Sequence, residues 1–146
     1  MKFAVFGAGG IGGYLGGRLA QAGEDVAIIA RGDHLTAIRD HGLRVDSVSG
    51  DFVFKPSIAT DDPAEVGPVD VVILGVKAWQ VAEAAEAMRP MVGPETCVLP
   101  LQNGVETPAQ LAAVLGDGAV LGGIGGDQRL YRGAGPHPER RGRTLR

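Results

Sequence analysis

The chain has 146 residues, 45% of them apolar and 21% charged, with a formal net charge of −3; these are the proportions of one water-soluble domain with enough apolar material for a core. No apolar run reaches the length of a membrane span, and the N-terminus lacks a basic region followed by a cleavable apolar segment. The single cysteine, Cys97, excludes an internal disulfide and a cysteine-based metal framework and suits a reducing cytoplasm.

The chain opens with Lys2-Phe3-Ala4-Val5-Phe6, a short apolar strand running into Gly7-Ala8-Gly9-Gly10-Ile11-Gly12. Strand, glycine turn and helix start in that order are what a dinucleotide pyrophosphate needs. Gly7 allows the turn, Gly9 lets backbone N–H groups approach the phosphates, and Gly12 lets the helix pack on the strand. The alternative is a glycine turn that binds nothing, since a chain with 24 Gly produces such spacings by chance. Leu15, Leu19 and Ala22 then recur at helical spacing up to Gly23, and Asp25 to Ala30 is an apolar segment suited to a strand buried on both faces.

A short helix is predicted from Asp33, as its N-cap, to Gly42. Leu43 to Val48 and Phe52 to Lys55 flank Ser49-Gly50-Asp51 and read as a hairpin. Asp61-Asp62-Pro63 starts a short helix, and Asp70 to Lys77 is a third central strand. Gln80 to Met88 is helical, with Val81, Ala84, Ala85 and Met88 on one face and Pro90 as its end; Trp79 is expected to pack near its start, the alternative being stacking on a cofactor. Thr96 to Leu101 is a fourth strand, in which Pro100 implies a strand end or an edge. Thr107, as cap, begins a helix running to Gly116, and a fifth strand starts at Ala119. Alternation of strands and helices predicts an α/β fold with a Rossmann-like, doubly wound, mostly parallel sheet whose ligands lie at the carboxyl ends of the strands.

Three positions at those strand ends stand out. Where a NAD-preferring unit carries an acid for the ribose hydroxyls, this chain has Ala30-Arg31-Gly32; a cation there pairs with a 2′-phosphate, so the expected cofactor is NADP(H), the alternative being a solvated surface arginine. Lys77 ends the third strand and is either a second phosphate ligand or a surface lysine. Asn103, in Gln102-Asn103-Gly104, is either an amide that donates and accepts at the site or part of a common turn pair. His34 and His41 are expected on the surface, no cluster has metal spacing, and Cys97 reads as a buried small hydrophobe.

The motifs G-A-G-G-I-G at 7–12, A-R-G at 30–32, G-V-K-A-W-Q at 75–80 and L-Q-N-G-V at 101–105 resemble, in order and spacing, the ketopantoate reductases (2-dehydropantoate 2-reductases), over residues 1–126. The resemblance implies that Gly7, Ala8, Gly9, Gly10, Ile11 and Gly12 bind the pyrophosphate and that Arg31 and Lys77 face the adenosine phosphate. It also implies that Asn103 lies near the nicotinamide and the keto acid. The implied reaction is NADPH-dependent reduction of 2-dehydropantoate to pantoate, on the route to pantothenate and coenzyme A. Members of that family are about twice this length, and their C-terminal helical domain supplies a lysine that polarises and protonates the ketone. The last lysine of this chain is Lys77, so the chain is expected to lack that helical domain and its catalytic residue. Cofactor binding with little or no turnover is expected of it alone. Alternatives are a non-catalytic NADP(H)-binding module and a reductase of another 2-keto acid.

Charge divides the chain. Residues 1–126 carry 8 Lys and Arg against 15 Asp and Glu, and residues 127–146 carry 6 Arg against 2 acids. The acidic body argues against nucleic acid as a partner, leaving a small-molecule 2-keto acid; membrane binding is not expected and the oligomeric state is unreadable. Residues 127–146 are Gly-, Pro- and Arg-rich without periodicity and are expected to be an irregular basic tail. A frameshift is the sharper reading: with suitable synonymous codons, translation one base later from Asp127 gives I-S-A-Y-I-E-A-P-G-H-I-R-N-A, which resembles the family's continuation.

Overall fold

A computed structural model describes residues 1–101, 106–116, 118–120, 129–130 and 143–144. Five strands form the main sheet: β1 (Lys2–Phe6), β2 (Asp25–Ile29), β5 (Ile58–Thr60), β6 (Val69–Leu74) and β7 (Val92–Pro100). Their order is β5-β2-β1-β6-β7, and every pair in it is parallel. Progress along the chain therefore reverses direction across the sheet between β1 and β6, the switch point at which a crevice opens beyond the carboxyl ends. β3 (Leu43–Val45) and β4 (Phe52–Phe54) form the expected antiparallel hairpin. The helices are α1 (Gly10–Gln21), α2 (Gly32–His41), α3 (Pro63–Val66), α4 (Val81–Ala87) and α5 (Glu106–Leu115). The Rossmann-like fold predicted from the sequence is the fold found.

Side chains alternate across the central strands because a strand turns successive residues to opposite faces. Ala4, Ala27, Val72 and Leu74 join Val81, Ala84, Ala85, Met88 and Leu111 on one face. Val5, Val26, Ile28 and Ile73 join Ile38, Leu43, Val45 and Phe54 on the other. Parallel strands covered on both sides must be apolar on both sides, which is why β2 and β6 read as nearly continuous hydrophobic runs.

α1 is a poor helix by composition, since five of its 12 residues are glycine and each costs about 1 kcal/mol relative to alanine. Close packing compensates. A Cβ on Gly12 would lie 2.6 Å from the Gly7 carbonyl oxygen, one on Gly16 2.8 Å from Val5 Cγ2, and one on Gly17 2.6 Å from Phe52 Cε2. The bare helix face thus lies directly against β1 and the hairpin. Arg18 closes the hairpin side, its guanidinium 5.4 Å from the ring centroids of both Tyr14 and Phe52, within cation–π range.

Several expectations need correction. β5 was not anticipated: it has only three residues, follows Pro56, and owes its strand state to parallel pairing with β2. α2 begins at Gly32 with Arg31 as N-cap, so Asp33 lies inside the first turn, where its charge complements the helix dipole. β6 stops at Leu74, leaving Gly75 and Val76 between the strand and Lys77. α5 begins at Glu106, which places the buried Thr107 inside the helix. Trp79 is 80% exposed: it sits in the 3₁₀ turn Ala78–Gln80 ahead of α4 and so falls outside the buried stripe of that helix. Cys97 is only partly buried.

Pro100 is the last residue of β7, the outermost of the five strands, as its missing N–H requires. A single parallel bridge from Val98 to Val120 continues the sheet outward; residues 121–123 of the predicted fifth strand lie outside the described residues. Within 127–146 the described residues are β8 (Arg129–Leu130) and β9 (Arg143–Thr144), an antiparallel pair. Among the described residues no helix is long and apolar enough to cross a membrane.

Candidate cofactor site

The crevice is built from the carboxyl ends of β1, β2 and β6. The turn after β1 is stitched to both neighbours: Gly7 N–H donates to the Ile29 carbonyl at 3.3 Å, and Gly75 N–H donates to the Phe6 carbonyl at 2.9 Å. Gly7 has φ +93°, a backbone state side chains disfavour, and a Cβ there would also lie 3.0 Å from the Gly75 carbonyl. Gly75 is held to the same standard, because its own Cβ would come 2.8 Å from Gly7 O. Three backbone segments therefore meet at a point where neither Gly7 nor Gly75 has room for a side chain.

Gly9 and Gly10 are different. A Cβ on either would meet nothing within 4 Å, and both residues, with Ile11, are exposed. Gly9 is the N-cap of α1, with no side-chain cap hydrogen bond and no acid in the first turn. The first N–H groups of a helix have no acceptor within it, and here those of Gly10 and Ile11 belong to exposed residues at the positive end of the helix dipole. That is a cradle for an anion, left clear by the two residues whose side chains would fill it. A dinucleotide pyrophosphate fits it.

Arg31 extends from the end of β2, its side chain 72% exposed, with Nη1 3.9 Å from Glu83 Oε1 on α4. Lys77 lies beyond β6 in a locked turn, its N–H donating to Gln80 Oε1 at 3.0 Å while Gln80 N–H donates to the Lys77 carbonyl at 2.8 Å. The Lys77 side chain is exposed. Sheet order thus puts the glycine turn between the two cations predicted from sequence, one on each flanking strand end. Asn103 lies outside the described residues. Sequence reasoning did not single out Gln80 or Glu83; an amide three residues after Lys77 was the available signal for the first, and nothing local pointed to the second. His34 and His41 are exposed, and among the described residues no group of His, Cys, Asp or Glu could hold a metal ion.

Fold and crevice together define a Rossmann-type dinucleotide-binding domain. Residues 3–128 match the family model described as ketopantoate reductase PanE/ApbA, and the chain belongs to that family. A 2-dehydropantoate 2-reductase from Mesorhizobium japonicum is 43% identical over 106 residues, 72% of this chain and 32% of that protein. Among solved structures, the 2-dehydropantoate 2-reductase of Porphyromonas gingivalis W83 is 43% identical with a TM-score of 0.76, over 83% of this chain and 45% of that one. A D-mandelate dehydrogenase solved with NADH and anilino(oxo)acetate is 28% identical with a TM-score of 0.73, over 83% of this chain and 39% of that one. The chain spans about two-fifths of the length of most curated relatives it matches.

Proposed function

We propose that this chain is the NADP(H)-binding portion of a reductase that converts 2-dehydropantoate to pantoate. The open anion cradle at Gly9 and Gly10, flanked by Arg31 on one neighbouring strand end and Lys77 on the other, carries this reading. Backbone N–H groups of the Gly7–Gly12 loop hold the pyrophosphate, and the Arg31 guanidinium takes the 2′-phosphate, with Lys77 as a second cation on the other side of the glycine turn. Asn103 is assigned to the nicotinamide and keto-acid end from its motif. Bound NADPH supplies the hydride for the ketone carbon. A proton must also reach the ketone oxygen as charge develops there, and Lys77, the assigned residue able to give one, is committed to the adenosine phosphate in this reading. Binding with little turnover is therefore the behaviour assigned to these residues alone.

Arg31→Gln tests the cofactor assignment. A lost charge-assisted pair should weaken NADPH about ten- to hundredfold while leaving NADH nearly unchanged, read by fluorescence titration. Equal losses for both coenzymes would remove Arg31 from the 2′-phosphate. NADPH oxidation with 2-dehydropantoate and with other 2-keto acids tests the substrate. The similarity to a D-mandelate dehydrogenase makes an aromatic 2-keto acid the second substrate class to assay.

A further inference from the structure

We propose that Glu83 is a specificity-determining residue of the coenzyme crevice: its carboxylate is the resident counter-ion of Arg31 and limits how strongly the chain prefers a dinucleotide carrying a 2′-phosphate. The inference rests on the assignment of Arg31 to that phosphate. Arg31 follows β2, and Glu83 lies in the first turn of α4, which follows β6. β2 and β6 are the two neighbours of β1. A contact between the two side chains must therefore cross the carboxyl end of β1, over the glycine turn, and at 3.9 Å it does.

Nothing in the packing of α4 calls for this acid. The buried face of the helix is Val81, Ala84 and Ala85, whereas the Glu83 side chain is 72% exposed. Glu86, on the same helix, is already paired with Arg89, 2.7 Å from Glu86 Oε2 to Arg89 Nε. Glu83 instead reaches across the crevice. Because Arg31 and Glu83 are both well solvated, their pair holds weakly and is easily parted. Parting it does not remove the carboxylate. A 2′-phosphate arriving at Arg31 must displace Glu83 and then sit beside its negative charge, an unfavourable arrangement that salt weakens over a Debye length of about 8–10 Å. A coenzyme without that phosphate brings no extra charge to the spot, so the effect is selective.

Titration of the full chain with NADPH and with NADH, in low and high salt, tests the proposal on Glu83→Gln and Glu83→Lys. Glu83→Gln should tighten NADPH about three- to tenfold at low salt, leave NADH within about twofold, and lose most of the gain at high salt; Glu83→Lys should go further in the same direction. Unchanged NADPH affinity, or equal tightening of both coenzymes, would overturn it. Arg31→Gln measured in parallel separates the two claims. If it abolishes the NADPH preference while the Glu83 variants change nothing, the role of Glu83 falls alone. If it leaves the preference intact, the 2′-phosphate assignment falls and the proposal with it.

Discussion

Within the stretch from Gly7 to Gly12, the two ends press against neighbouring backbone while Gly9 and Gly10 between them face open space. The same residue type is required for opposite reasons. At Gly12 and Gly7 the missing Cβ lets a helix and the turn after β6 close on the turn after β1, with imaginary Cβ contacts of 2.6 Å and 3.0 Å to backbone. A Cβ at Gly9 or Gly10 would meet nothing within 4 Å, so packing gives no reason for glycine there, and the proposed approach of a coenzyme would. One motif thus contains a structural seam and an open rim proposed to bind the coenzyme, and the difference between them can be measured.

Gly12→Val should produce the largest effect. The clash is with a carbonyl oxygen that cannot rotate away, so the substitution should cost more than about 3 kcal/mol, above the usual range for overpacking. In a domain stable by about 5–15 kcal/mol that is a large fraction, visible as a lower urea midpoint. A near-normal midpoint would show that the seam is looser than it looks. Gly9→Val is the counterpart at the rim. Stability should change by no more than about 1 kcal/mol, the scale of an N-cap substitution, while coenzyme affinity falls more than about tenfold. Loss of fold would erase the distinction between rim and seam, and retained affinity would empty the cradle of its role.

Glu86→Gln, away from both, sharpens the comparison as a control with the smallest effect. The hydrogen bond from Arg89, helped by its charge, holds the Glu86 carboxyl below its ordinary value of 4.5. A depressed folded-state pKa contributes stability that is present above the unfolded value and lost as pH falls through the folded one. Parent and variant should therefore differ slightly near neutrality and converge in acid by thermal melts across pH, with coenzyme binding unchanged throughout.

What was legible in the sequence was whatever local spacing determines. β1, the glycine turn, α1 and β2 could be read because an apolar run, fixed glycine offsets and a helical period follow one another without interruption, and Arg31 could be placed because it follows β2 at once. Features set by distant partners could not. β5 is three residues whose identity as a strand comes from its register on β2. Trp79 looks like core by composition, yet the 3₁₀ turn carries it into solvent. Glu83 meets Arg31 only because β2 and β6 flank β1, and that order is a property of the sheet rather than of either segment. The start of α2 shows a smaller version of the same limit: Asp33 suits a cap, but the backbone enters the helix before reaching it.

Calorimetric titration of the purified, folded chain with NADPH and NADH, run beside Gly9→Val, tests the central claim most directly. The account predicts saturable heat with NADPH, weaker binding of NADH, and loss of both in the folded variant. Folded parent chain that gives no heat with either coenzyme would contradict it.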